Sequence, residues 1–164
     1  MIFVTVGTQK FLFDRLLKDI DELLEENVIK DEVVCQAGYS NYVPKNYQII
    51  KFLNNQEYED IIAKCDFMIT HGGVGSILHG LNRSKKIIAY PRVKLYGEHV
   101  DDHQLEIVAK YTELGYILSC NDKTSLTECL QNIESFESCY KQPVQVDNPI
   151  QDYLLEYLKT NNKI

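Results

Sequence analysis

The run Phe67-Met68-Ile69-Thr70-His71-Gly72-Gly73-Val74-Gly75-Ser76 joins two patterns in ten residues. A short apolar run ends at Thr70, and a helix-like segment, residues 77–81, follows the glycines. Glycines and a Ser between a strand and a helix let the backbone approach a ligand closely. They also leave the first N–H groups of the helix free to meet an anion. Residues 67–97 contain no Asp or Glu, while Arg83, Lys85, Lys86, Arg92 and Lys94 add five positive charges. The net charge of the whole 164-residue chain is −7, so the rest of the chain sums to −12. A glycine loop next to this basic window points to a phosphorylated ligand. The loop has neither the Gly-Lys-Ser/Thr of a Walker A motif nor the third glycine of G-x-G-x-x-G. Glycines also occur at such turns for purely structural reasons.

Outward from this loop, short apolar runs alternate with amphipathic stretches. Residues 2–6 read as a strand buried on both faces and closed by Gly7-Thr8-Gln9. Phe13, Leu16, Leu17, Ile20, Leu23 and Leu24 then recur at helical spacing. Strands are predicted at 33–37, 47–53, 67–70, 86–90 and 116–119. Helices are predicted after Asn54 or Asn55, at 102–114, at 126–133 and at 150–158. This alternation is that of an α/β, doubly wound parallel sheet. One domain spans residues 1–164, with 134–164 as a surface excursion and final helix. In that helix Tyr153, Leu154, Tyr157 and Leu158 offer an apolar face to the sheet or to a partner.

The composition, 45% apolar and 25% charged, is that of an ordinary soluble domain. A pI near 5.1 argues against nucleic acid as a partner. Met1-Ile2-Phe3-Val4-Thr5-Val6 lacks a basic leader and is not expected to be a signal peptide. No stretch approaches the roughly 20 apolar residues of a spanning helix. The five cysteines form no C-x-x-C pair, so a reduced cytoplasmic setting is expected.

Ligands of such sheets lie at the carboxyl ends of the strands, where residues 7–9, 71–76 and 91–104 are predicted to converge. In the last segment, Glu98-His99-Val100-Asp101-Asp102-His103-Gln104 permits three uses. Its carboxylates and imidazoles suit a metal, Asp101 and Asp102 suit a helix N-terminus, and the cluster suits hydroxyl groups of a sugar. His71 is placed either to donate to a phosphate or to bond the backbone. Arg92 and Lys94 are either solvated or phosphate ligands. His79 and Cys65 read as structural.

Three motifs, Val4-Thr5-Val6-Gly7-Thr8-Gln9, Thr70-His71-Gly72-Gly73-Val74-Gly75-Ser76-Ile77-Leu78 and the Glu98–Gln104 run, together resemble the C-terminal domain of family 28 glycosyltransferases. In order and spacing the likeness covers about residues 2–133. It is greatest to stand-alone half-enzymes, the cytosolic donor-binding subunits of two-subunit lipid-linked UDP-sugar transferases. Val6-Gly7-Thr8-Gln9 and the Glu98–Gln104 run favour their bacterial capsule and exopolysaccharide branch.

The resemblance implies a Rossmann-like half of a GT-B enzyme, binding a UDP-sugar without metal or other cofactor. A membrane-associated partner subunit would supply the other half and recruit a lipid-linked sugar acceptor, holding this chain at the inner face of the membrane. Gly7 and Thr8 would face the diphosphate beside Gly73, Val74, Gly75 and Ser76, with His71, Gly72 and Arg92 adjoining. Leu53 would lie near uracil, and Gln104 near the ribose or sugar with Asp101 and Asp102. Single-chain relatives carry at position 79 a Glu that holds the ribose; here the residue is His79, so that contact is not carried over. The family's base resides on the other half, which leaves His71, Glu98 and His99 as candidate catalytic residues. The implied reaction is an inverting transfer of a hexose such as Gal or GlcNAc. A nucleotide-sugar-binding subunit without turnover is the alternative; a metal-dependent hydrolase is a third reading.

Overall fold

Strand periodicity divides the core in two. Along β1 (Ile2–Thr5), Ile2 and Val4 face one layer of helices and Phe3 faces the other. The computed structural model describes residues 1–142. On the first face α1 (Asp14–Glu25) buries Leu16, Leu17, Ile20 and Leu23 against the sheet. Each such side chain contributes roughly 1.5–3 kcal/mol of transfer free energy. The same layer receives Leu126 and Cys129 of α5 (Lys123–Asn132), with Ile133 just beyond it. The opposite layer contains Ile62 of α2 (Asn55–Lys64), Ile77 and Leu81 of α3 (Val74–Leu81), and Val108 and Tyr111 of α4 (His103–Glu113).

The remaining strands are β2 (Val33–Gln36), β3 (Gln48–Ile50), β4 (Phe67–Thr70), β5 (Lys86–Ala89) and β6 (Leu118–Ser119). All pairings are parallel, in the order β3-β2-β1-β4-β5-β6. The expected doubly wound, Rossmann-like α/β sheet is present. Its order reverses between β1 and β4, whose registers align Thr5 with Thr70. From these adjacent strand ends the chain leaves toward opposite faces, into α1 and into α3. That divergence opens a crevice at the carboxyl edge.

The edge strands are shorter than the sequence predicts. β3 is half exposed, and the chain leaves the sheet after Ile50, where the Gln36 side chain accepts from Leu53 N–H. β6 begins only at Leu118. α5 starts earlier than expected because Asp122 and Ser125 form a capping box. At α2 the capping box is formed by Asn54 and Glu57. Residues 134–142 are irregular, anchored by Ser138 Oγ on the Tyr116 carbonyl and by Tyr140 against the second core. The predicted helix 150–158 lies outside the described residues.

Candidate functional site

The crevice is a cleft of about 500 Å³. The β1 loop contributes Gly7 and Thr8, and α3 contributes Gly75, Ser76 and His79. Leu53, Asn55, Tyr58 and Glu59 come from the segment that ends β3 and begins α2, while Thr5 and Gln36 lie at strand ends. α3 has Gly73 as its N-cap, with no capping side chain and no acidic residue in its first turn. Its first intrahelical bond runs from Ile77 N–H to the Gly73 carbonyl, so the N–H groups of Val74, Gly75 and Ser76 have no acceptor within the helix. Partial positive charge at this helix end favours an anion.

His71 holds the two loops apart. It is 6% exposed, and its backbone N–H donates to the Thr5 carbonyl at 3.2 Å. Its ring lies between the glycines: a Cβ on Gly7 would sit 2.5 Å from His71 Cε1, and one on Gly73 would sit 2.3 Å from Nε2. Gly7 also has φ +74°, a left-handed conformation that disfavours any side chain. Burial, then the charge of Arg92, pushes the His71 pKa down to about 3, against a weaker pull from its bond to Thr5. At neutral pH it is an uncharged wedge inside the wall.

Arg92 lies beneath the β1 loop, fully buried. Its Nη2 donates to the Val6 carbonyl at 2.6 Å and Nη1 to Gln9 Oε1 at 3.5 Å, while Nε has no partner. Burial lowers its pKa to about 10, with Glu98 opposing, so it stays charged. It thus ties the glycine turn to β5 and places positive charge behind it. Gln104 holds this segment in turn, its Oε1 accepting from Arg92 N–H at 3.1 Å.

The rest of the acidic run is occupied with folding its own loop. Glu98 is buried and takes Arg15 in a bidentate pair at 2.9 and 2.8 Å, plus the Val93 N–H at 2.9 Å. His99 Nδ1 is 3.0 Å from Asp101 Oδ1, and its ring packs on Phe11. Asp101 also accepts from the His103 N–H, and Asp102 from the Lys94 N–H. Among the described residues no three His, Cys, Asp or Glu side chains are grouped to hold a metal ion.

Of the sequence-predicted site residues, Gly7, Thr8, Leu53, Gly75 and Ser76 meet in the cleft. Gly72, Gly73 and Val74 form the turn that starts α3, and His71 and Arg92 stand behind the loops. Glu98, His99, Asp101, Asp102 and Gln104 belong to the β5–α4 loop and do not line the cleft. The basic window does not form one patch. Lys85 and Lys86 precede or begin β5, about 10–13 Å by strand rise from its carboxyl end, beyond which Arg92 and Lys94 lie. Lys85 instead donates to the Ala63 and Cys65 carbonyls, and Arg83 pairs with Glu59. Sequence reasoning missed Asn55, Tyr58 and Glu59. The Tyr58 hydroxyl, whose pKa is raised by burial, shares the cleft lining with Ser76 and Thr5.

The human protein named UDP-N-acetylglucosamine transferase subunit ALG13 is 30% identical over 128 residues, 73% of this chain and 11% of that one. A Saccharomyces cerevisiae protein of the same name is 34% identical over 93 residues, 55% of this chain and 44% of that one. The chain spans 10% and 11% of the length of the mouse and human relatives. An NMR structure of ALG13 superposes with TM-score 0.60 at 24% identity, covering 94% of each chain, a likeness of fold. These relatives are eukaryotic UDP-N-acetylglucosamine transferase subunits and lend no support to the expected capsule and exopolysaccharide branch. Residues 1–149 match the glycosyltransferase family 28 C-terminal domain, and the chain belongs to that family.

Proposed function

We propose that this chain is the donor-binding half of a two-chain, inverting UDP-hexose transferase. The observation that carries the reading is the cleft between the Gly7-Thr8 turn and the uncapped N-terminus of α3. Its N–H groups and the buried Arg92 suit a diphosphate, and Leu53 at the far wall suits the base. UDP-GlcNAc is the first donor to test, since the relatives are named as its transferase subunits. Their designation as subunits, and the confinement of the cleft to one sheet edge, support a partner chain that completes the site. We assign that partner the membrane attachment at the cytoplasmic face and the lipid-linked sugar acceptor.

In the reaction, an acceptor hydroxyl oxygen bonds to the anomeric carbon as the bond from that carbon to UDP breaks. The electron pair leaves on the diphosphate, where the α3 amides and Arg92 stabilise it; this role requires no metal. A base must touch the acceptor hydroxyl. His71, Glu98 and His99 are engaged away from the cleft lining, so the proton goes to a group on the partner half.

Calorimetric titration with UDP, with and without chelator, tests the reading on the wild-type chain and on Ser76→Trp, whose indole fills the cleft. Saturable, chelator-insensitive binding that the variant loses is expected. Binding that survives Ser76→Trp, or no binding to the folded wild-type chain, overturns the assignment.

A further inference from the structure

The buried Glu98–Arg15 pair takes no part in the cleft, yet it fixes the loop that leaves β5. Arg15 also donates to the Pro91 and Asn121 carbonyls, and Glu98 accepts from the Val93 N–H. On this base stands a short 3₁₀ turn (Lys94–Tyr96), closed by Gly97 in the left-handed conformation at φ +70°. The turn presents apolar side chains to solvent: Leu95 is 83% exposed, Tyr96 61% and, just beyond, Val100 63%. Tyr96 is held by the Arg15 guanidinium, 4.9 Å from its ring centre. Single exposed apolar residues are ordinary, whereas three on one buttressed loop mark a contact surface.

Size and charge choose the occupant. The three side chains offer on the order of 400 Å², about half of what a stable protein interface takes from each partner. A small apolar tip with a tyrosine and basic neighbours suits the headgroup boundary of a bilayer, where amphipathic rings sit and lysines meet anionic lipid. The basic neighbours are Lys94, which starts the turn, and Lys10 on the β1 loop, both exposed. The two loops touch, with the Phe11 ring 5.1 Å from that of His99. The carboxylates of the β5 loop are engaged within it: Glu98 on Arg15, Asp101 on His99 and Asp102 on the Lys94 N–H. The turn packs on α1, on the face of the sheet opposite to α2 and α3, which wall the cleft. A partner can thus cover the cleft while the turn meets lipid. We propose that Leu95 and Tyr96, with Lys10 and Lys94, seat the carboxyl edge of this chain on an anionic bilayer, as a contact additional to the partner's. Its use in reaching a lipid-linked acceptor rests on the UDP-sugar reading above; the contact itself rests on the turn.

The test is sedimentation of the full chain with vesicles of phosphatidylcholine containing about 30% phosphatidylglycerol, for wild type and Leu95→Asp/Tyr96→Asp. The wild type should partition onto them at least about tenfold more strongly than the double variant, and more weakly onto phosphatidylcholine alone. UDP titration should not distinguish the two proteins, since neither Leu95 nor Tyr96 lines the cleft. The chain has no tryptophan, so Leu95→Trp places a single reporter at the tip, whose emission should shift to the blue on the mixed vesicles. Wild type that stays in the supernatant, a double variant that sediments equally, or unshifted Leu95→Trp emission overturns the inference. So does self-association of the wild type, lost in the double variant, without vesicle binding; the turn is then a protein interface. Vesicle binding by a chain that binds no UDP overturns the UDP reading alone. Thermal melts establish that the variants are folded, and if the double variant is not, the tryptophan emission decides.

Discussion

Gly75→Ala separates what the glycine loop does for folding from what it does for a ligand. Gly75 is the second residue of α3, and a Cβ built on it meets nothing within 4 Å. The methyl group therefore costs no packing, while alanine is favoured over glycine in a helix by roughly 0.5–1 kcal/mol. For a domain of this size that raises the melting temperature by about 1–4 °C. The neighbouring substitution Gly73→Ala has the opposite sign. Its Cβ would lie 2.3 Å from His71 Nε2, and the buried ring has no open side to move into. Overpacking of this kind costs about 1–3 kcal/mol. Ligand binding reverses the order of interest. A phosphate oxygen must come within about 3 Å of the helix amides, and the Gly75→Ala methyl projects into the cleft that it must enter. UDP affinity should drop at least about tenfold, or about 1.4 kcal/mol, in the more stable variant. Thermal melts without ligand and calorimetry with UDP check the two halves separately. A Gly75→Ala protein that melts lower than wild type refutes the open-space argument. One that melts higher and binds UDP unchanged refutes the placement of the diphosphate.

Two further outcomes follow from the buried groups behind the loops. His71 is held neutral, with its pKa pushed by burial from 6.5 to about 3. Between those values the unfolded chain takes a proton that the folded chain refuses, so stability is full above pH 6.5 and falls as the pH drops toward 3. From pH 8 to pH 5 this group alone removes about 2 kcal/mol, read from urea unfolding as the extra loss of wild type over His71→Asn. Equal losses in the two proteins would mean that His71 titrates normally. Arg92→Met removes the donor to the Val6 carbonyl while keeping apolar bulk, and should cost about 1–3 kcal/mol together with UDP affinity. An unchanged urea midpoint would show that the guanidinium does not anchor the glycine turn.

The centre of the sheet was legible in the sequence, and its edges were less so, for one physical reason. β1, β4 and β5 are buried on both faces and so read as unbroken apolar runs. β3 is half exposed, and its pattern continues past Ile50 although the hydrogen bonding does not. The site divides in the same way. Gly7 and Gly73 stand where the His71 ring leaves no room for a side chain, so their glycines mark the turn in the sequence. Charge was the poorer guide. The acid-free basic window is contiguous along the chain, yet one strand length carries Lys85 and Lys86 away from the crevice. The dense Glu98–Gln104 run reads as a ligand cluster, whereas in the fold Glu98 clamps Arg15 and Gln104 holds the backbone of Arg92.

Glu59 shows the converse. In an amphipathic helix it looks like any solvated acid, because sequence periodicity says which side faces the core and not which neighbour flanks the exposed side. That neighbour is set by winding: α2 and α3 cover the same face of the sheet, which brings Glu59 to His79 across 20 positions of sequence. His79, where the resemblance breaks, and Glu59, which no motif marks, thus form one contact in the wall of the cleft. A residue-by-residue transfer from relatives would miss such a contact, because the carboxylate stands on a different helix from the position being compared.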